Sequence, residues 1–388
     1  MCGITAILHK SKCGETNVLS ILINSLKQLQ NRGYDSAGVS YMTFTPVNST
    51  LTNSHLMNNI MVHKKASTEE MDSINNIEQC IQEESACAIG HTRWATHGGK
   101  TDINAHPHLS YSGIVSVVHN GIIENYIELK KKLPIEYQNA IQSETDTEII
   151  AHMIELFIHE NNTIEMSITK TTALIEGTYG LAVLYISKPN NIYIIRSGSP
   201  MIIAENEQYI MASSESCGLL NMFTHYATLP TNHLICIQTT GFNLDQFKCK
   251  SLNNSQPMDL TPGSYPHWTI KEIYEQPQSI MRAINHGGRI ANQNIRLGGI
   301  DTLKQSIHKV NNIILLGCGT SYHACAIGAS YLKTVKHFNT VTYMNGAEFN
   351  ERDIPHIGMT LVILCSQSGE TKDLHRSIDI ARSTNCLT

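Results

Sequence analysis

Met1-Cys2-Gly3-Ile4-Thr5-Ala6-Ile7-Leu8 opens the chain with a candidate nucleophile set directly before a short apolar run. Ile4 to Leu8 reads as a buried strand. A residue as small as cysteine permits removal of the preceding methionine, which leaves a thiol and a free α-amine together on Cys2. Their reference pKa values, about 8.5 and about 7.7–8.0, lie near neutrality, and such an amine can activate the thiol directly or through a water.

Working outward, apolar positions 18, 19, 22, 23, 26 and 29 predict an amphipathic helix over Val18 to Leu29. Strand-like segments follow at 37–44, 86–92, 114–118, 181–186, 192–196, 201–204 and 209–212, with helix patterns over Thr147 to His159 and Ile164 to Leu174. Many short strands with few helices, and no regular βαβ alternation, imply a layered α+β domain over residues 2–240. Residues 241–285 form a linker rich in Asn, Ser, Pro and Gln, with a connecting helix from Thr269 to Ile284.

After residue 310 the pattern changes to a continuous apolar run, Asn312 to Leu316, then Gly317-Cys318-Gly319-Thr320-Ser321 and a helix to 335. Leu361 to Cys365 leads in the same way into Ser366-Gln367-Ser368-Gly369-Glu370-Thr371 and another helix. This is βαβ grammar, so residues 286–388 predict a parallel α/β sheet with ligand loops at the carboxyl ends of its strands. Only about three strands fit before Thr388, which makes this domain incomplete by ordinary strand counts.

The net charge of −5 gives no basic footprint for nucleic acid, and Lys130-Lys131-Lys132 reads as a solvated helix face. The eleven cysteines are odd in number and never spaced C-x-x-C, which predicts reduced thiols and a cytoplasmic setting. The first 25 residues lack a secretory signal, and no apolar stretch is long enough to span a bilayer. His91, His97, His106, His108 and His119 show no metal-ligand spacing, so neither a metal nor a cofactor is expected.

A thiol amidohydrolase needs fixed donors for an oxyanion, and the Asn120 side-chain amide with the Gly121 N–H can supply two; a hairpin turn is the plainer reading of Asn-Gly. Arg93 suits a carboxylate and Asp146 an ammonium, against a structural ion pair and a helix N-cap respectively. Trp94 is by default a core residue. In the second domain, Thr320, Ser321, Ser366, Gln367, Ser368 and Thr371 supply hydroxyls and an amide at two helix starts, which can cradle a phosphate or simply cap helices.

Cys2-Gly3-Ile4, Arg32-Gly33-Tyr34-Asp35-Ser36-Ala37-Gly38, His91-Thr92-Arg93-Trp94-Ala95-Thr96-His97-Gly98, Asn104-Ala105-His106-Pro107-His108, His119-Asn120-Gly121 and Ser143-Glu144-Thr145-Asp146-Thr147-Glu148 occur in order. Together they resemble the class II, N-terminal-nucleophile glutamine amidotransferases. The resemblance implies an αββα glutaminase domain with Cys2 as nucleophile and its α-amine as base. It implies that Arg93 and Asp146 clamp L-glutamine, and that Asn120 and Gly121 form the oxyanion hole. Thr96 and His97 then lie on a closing loop, and Trp94 gates the released ammonia. The two loops after 317 and 365 resemble the sugar isomerase (SIS) domain, truncated here. With Lys271 to Pro277 they resemble the branch of the family that aminates fructose 6-phosphate to glucosamine 6-phosphate, usually as a homo-oligomer. Asn31 and Gly99-Lys100-Thr101 depart from the family's commoner residues, away from the proposed catalytic groups. Open beside this reading are another class II amidotransferase, of the phosphoribosyl-pyrophosphate or asparagine-forming type, and a truncated glutaminase or sugar-phosphate-binding module without synthase activity.

Overall fold

In the computed structural model of the chain, the described residues are 2–10, 17–30, 33–46, 56–95, 98–242, 244–252, 264–284, 290–291, 294–295, 303–366 and 371–388. They divide into two compact units, Met1–Gly263 and Ser264–Thr388.

Strand Gly3–His9 is buried along its whole length and lies inside an eight-stranded sheet, between Tyr209–Ser213 and Cys87–Arg93. Both neighbours run antiparallel to it, with Gly3 opposite Thr92 and Thr5 opposite Ser213. Side chains of a strand alternate between faces. Ile4, Ala6 and Leu8 enter one core with Val118, Ala182, Ile194 and Ile203, whereas Ile7 enters another with Leu22, Leu26 and Val39. A second sheet of five strands, ordered Ile235–Gln238, Asn191–Ser197, Gly177–Tyr185, Val115–Ile123 and His108–Leu109, closes the first core.

Helices Leu19–Leu29 and Ser73–Cys80 cover the outer face of the larger sheet. Helices Thr147–His159 and Ile164–Ala173 cover the outer face of the smaller one through Ile150, Ile154, Ile168, Val117 and Leu181. Three stacked apolar layers therefore separate four layers of secondary structure, the αββα arrangement expected. Helix Tyr126–Lys132 carries the Lys130-Lys131-Lys132 face expected, but strand Leu56–Ala66, helix Ser73–Cys80 and the short helix Ile135–Ala140 have no counterpart in the sequence reading. Leu56–Ala66 is the sheet's terminal strand and reads Met-Asn-Asn-Ile-Met-Val-His-Lys-Lys, which lacks clean alternation. An edge strand needs no second apolar face.

In the second unit, Val310–Gly317 is the central strand of a parallel sheet, flanked by Thr340–Asn345 and Met359–Cys365. Val310, Ile313 and Leu315 pack on Cys325 and Ala329 of helix Thr320–Val335. Ile314 and Leu316 pack with Leu374 and Ala381 of helix Lys372–Ser383 on the other face. Leu387 adds a parallel bridge to Leu361.

Leu22 is fully buried between helix Leu19–Leu29 and the larger sheet. Leu22→Ala is expected to destabilise the first unit by about 2–5 kcal/mol in urea titration; a loss below about 1 kcal/mol would show that this layer contributes little.

Candidate active site

The register that sets Gly3 opposite Thr92 brings Cys2, at the strand's entrance, beside Arg93 and Trp94. The Trp94 N–H donates to Cys2 Sγ at 3.3 Å, and the Trp94 carbonyl accepts from it at 3.7 Å. Among the described residues these backbone groups are the hydrogen-bond partners of Sγ, and no imidazole or carboxylate bonds to it. Trp94 itself is 49% exposed, so the core role expected of a tryptophan is replaced by a solvent-facing one.

Asn120 crosses from the smaller sheet to this point. Its Nδ2 donates to the Cys2 carbonyl at 2.9 Å, and its Oδ1 meets His91 Nε2 at 3.0 Å. An amide oxygen only accepts, so His91 donates from Nε2. Asn120-Gly121 does not form a hairpin turn: both residues lie within strand Val115–Ile123, opposite Gly180 and Tyr179. Gly121 has φ +138°, and a Cβ there would stand 2.0 Å from the Thr178 carbonyl oxygen. Only glycine fits that position.

Asp146 immediately precedes helix Thr147–His159, yet its side chain does not cap that helix. Oδ2 instead accepts the Ile123 N–H at 2.7 Å, and Oδ1 accepts from Thr147 Oγ1 at 3.2 Å. Asp146 is thereby tied to the strand that carries Asn120 and Gly121. Arg93 donates to the carbonyls of Gly98 and Gly99, at 3.4 and 3.1 Å. The charges of Arg93 and Asp146 both act on the Cys2 thiol. Burial raises the pKa of that thiol, opposed by the Trp94 hydrogen bond and by Arg93, so it rests protonated and needs a proton acceptor to react.

Two acidic residues hold the loops around the site, and the sequence reading gave neither a role. Asp35 accepts the Ala95 N–H at 2.8 Å, while its own N–H donates to the Arg93 carbonyl at 3.1 Å. Glu144 accepts from the Gly99 N–H and from Asn104 Nδ2, both at 3.0 Å. The Gly99 N–H and the Asn104 amide hold its carboxyl below the usual range. Both acids sit inside motif blocks, but a carboxylate that receives backbone N–H groups from a distant loop leaves no mark in its own spacing. Thr96 and His97 of the expected closing loop, like Asn31 and Arg32, lie outside the described residues.

His91, His106 and His108 form a buried cluster of rings. His91 stacks at 4.3 Å from His106, which stands 4.9 Å from His108. Among the described residues no group of three or more His, Cys, Asp or Glu is arranged to hold a metal. Burial holds His91 neutral with a pKa of about 3, and pushes His106 and His108 well below the ordinary value.

In the second unit, Gly317 pairs with both Asn345 and Cys365, which starts the loops after the two strands at one level. Thr320 and Ser321 open helix Thr320–Val335, and Thr371 sits at the N-cap of helix Lys372–Ser383, its Oγ1 3.4 Å from Ser366 Oγ. The helices that follow these two adjacent strands pack on opposite faces of the sheet, the arrangement that opens a crevice at the strand ends of a parallel sheet. Gln367 and Ser368 lie outside the described residues. The ten described cysteines are all free thiols, and no helix among the described residues is long and apolar enough to cross a membrane.

A histidine kept neutral by burial makes the unfolded state the better proton acceptor below pH 6.5. Stability is therefore expected to be complete above about pH 6.5 and to fall toward pH 3, by up to about 1.4 kcal/mol per pH unit for each such residue. Thermal melts between pH 7.5 and 5 should show a steep decline, and a flat profile would contradict the burial of these rings. Gly121→Ala is expected to cost about 1–3 kcal/mol from its backbone conformation alone and more from the collision with Thr178; an unchanged melting temperature would show that the strand adapts.

The glutamine amidotransferase domain family matches residues 67–268, more than half of the chain, including Arg93, Asn120, Gly121 and Asp146; Cys2 precedes the matched stretch. The SIS domain family matches residues 306–388. The probable glutamine–fructose-6-phosphate aminotransferase (isomerizing) of Acanthamoeba polyphaga mimivirus is 37% identical over 398 residues, covering 100% of this chain and 61% of that protein. The glutamine–fructose-6-phosphate aminotransferases of Clostridium acetobutylicum and Chlorobaculum tepidum are 32% and 29% identical, covering 99% and 100% of this chain and 60% and 61% of theirs. The chain thus spans about three fifths of the length of these relatives. On its fold, its site and these matches, the chain belongs to the glutamine amidotransferase domain family, joined to a SIS domain.

Proposed function

We propose that this chain hydrolyses L-glutamine at Cys2 and that the ammonia released is destined for fructose 6-phosphate, giving glucosamine 6-phosphate. The observation that carries the first half is that, among the described residues, Trp94 backbone groups and no side-chain base bond to Cys2 Sγ. After Met1 is removed, the α-amine of Cys2 is the base closest to hand.

In the proposed step the amine takes the thiol proton, and the thiolate attacks the side-chain carbonyl carbon of glutamine. The oxyanion is met by an Asn120 amide N–H and the Gly121 N–H. Asn120 is oriented for this by His91, which holds the amide oxygen. As the C–N bond breaks, the ammonium returns its proton and ammonia leaves; water then hydrolyses the glutamyl thioester to glutamate. Arg93 receives the α-carboxylate and Asp146 the α-ammonium, with Thr96 and His97 on the closing loop and Trp94 at the ammonia exit.

For the second half, Thr320, Ser321, Ser366 and Thr371, with Gln367 and Ser368, are the proposed cradle for the sugar phosphate. The support is the level pairing of Gly317 with Cys365, which Thr320, Ser321 and Ser366 follow, together with the names of the relatives. Free thiols fit a cytoplasmic setting.

Cys2→Ala is expected to lower glutamine hydrolysis by at least about a thousandfold, and a form that keeps Met1 should be nearly as inactive. Arg93→Lys, which loses the bidentate fork, is expected to raise KM for glutamine about tenfold or more. Full hydrolysis by the Met1 form would reject the amine as base. Glutamate formed without glucosamine 6-phosphate, when fructose 6-phosphate is present, would confine this chain to the first step.

A further inference from the structure

A cavity of about 420 Å³ opens in the first unit among Lys64, Ser110, Tyr111, Ser143, Glu148 and His152, and the reaction proposed above leaves these residues unused. That volume suits a small metabolite. His152 is only 2% exposed, yet neither ring nitrogen has a hydrogen-bond partner. Its nearest charged neighbour is Glu148, whose Oε1 stands 3.8 Å from Nε2. Both nitrogens are shut off from the surface, so the ring meets this cavity as an apolar wall.

The charges facing the space have opposite signs. Lys64 Nζ donates to the Ile103 carbonyl at 3.0 Å, one of its three possible hydrogen bonds. Glu148 accepts from the N–H groups of Gln142 and Ser143. Asp102 also lines the cavity, but Lys65 pairs with it at 2.8 Å. The remaining titratable lining groups are His108, whose Nε2 meets Thr145 Oγ1, and the half-exposed Tyr111. A ligand of one sign meets one attractive and one repulsive charge here. A zwitterion satisfies both.

We propose that this cavity binds a small zwitterion, its anionic group on Lys64 and its ammonium on Glu148. Burial lowers the Lys64 pKa to about 8, against the opposing influence of Glu148, so the amine is reactive toward acylation near neutrality. The loop that Glu148 anchors runs on to Asp146, so occupancy is placed to alter glutamine affinity. That coupling rests on the function proposed above; the existence of the site does not.

Acylation of the full chain at pH 8 with a succinimidyl ester, read by peptide mass spectrometry, tests the site without turnover. Lys65, exposed and paired with Asp102, serves as the internal reference. L-Glutamate and glucosamine 6-phosphate share the required chemistry, and the two arms tell an amino acid from an amino-sugar phosphate. At least one is expected to cut Lys64 labelling fivefold or more with Lys65 unchanged, whereas inorganic phosphate and methylammonium each leave it unaltered. Glu148→Gln, which removes the charge offered to the ammonium, is expected to weaken that protection at least tenfold. No protection by either zwitterion, equal protection by phosphate alone, or undiminished protection in a folded Glu148→Gln chain would each overturn the proposal. The unsubstituted chain decides the first two outcomes should that variant not fold.

Discussion

The hydrogen bond from the Asn120 amide to the Cys2 carbonyl is the constraint on which the site depends. It joins the two sheets at the entrance of strand Gly3–His9 and fixes Cys2 against the strand that bears Gly121. Its other end is held by His91, which lies on the larger sheet beside Gly3–His9. Such a bond is worth only about 0.5–1.5 kcal/mol net. Its value is positional, because the apolar layer between the sheets supplies the stability and the bond sets the alignment.

The remaining site residues are fixed by the same logic of backbone capture. Asp146 is held by the Ile123 N–H, Asp35 by the Ala95 N–H and Glu144 by the Gly99 N–H. Asp146 ties the start of a helix to a strand, and Asp35 and Glu144 each tie one loop to another. Burial meanwhile keeps the Cys2 thiol protonated and the histidines neutral. In the proposed reaction, removal of Met1 exposes the base beside Cys2.

Much of this was legible in the residues. The run Ile4 to Leu8 is a strand because both its faces are covered, and Val18 to Leu29 alternates at helical spacing because only one face is. The parallel sheet of the second unit was readable from two apolar runs that each enter a hydroxyl-rich turn. Strand Leu56–Ala66 was not, since a polar edge strand carries no period. Nor were the roles of Asp35 and Glu144, whose partners are backbone groups tens of residues away. Asn-Gly was ambiguous because a turn and a strand glycine at φ +138° favour the same dipeptide.

The central claim is that Cys2, among eleven cysteines, is the nucleophile that attacks glutamine. Acid quenching of the chain during glutamine turnover, followed by peptide mass spectrometry, tests it most directly. The account predicts a glutamyl thioester on the N-terminal peptide that begins with Cys2, and on no other. Turnover with the acyl group on a different cysteine, or with none trapped while glutamate accumulates from a chain that retains Met1, would contradict it.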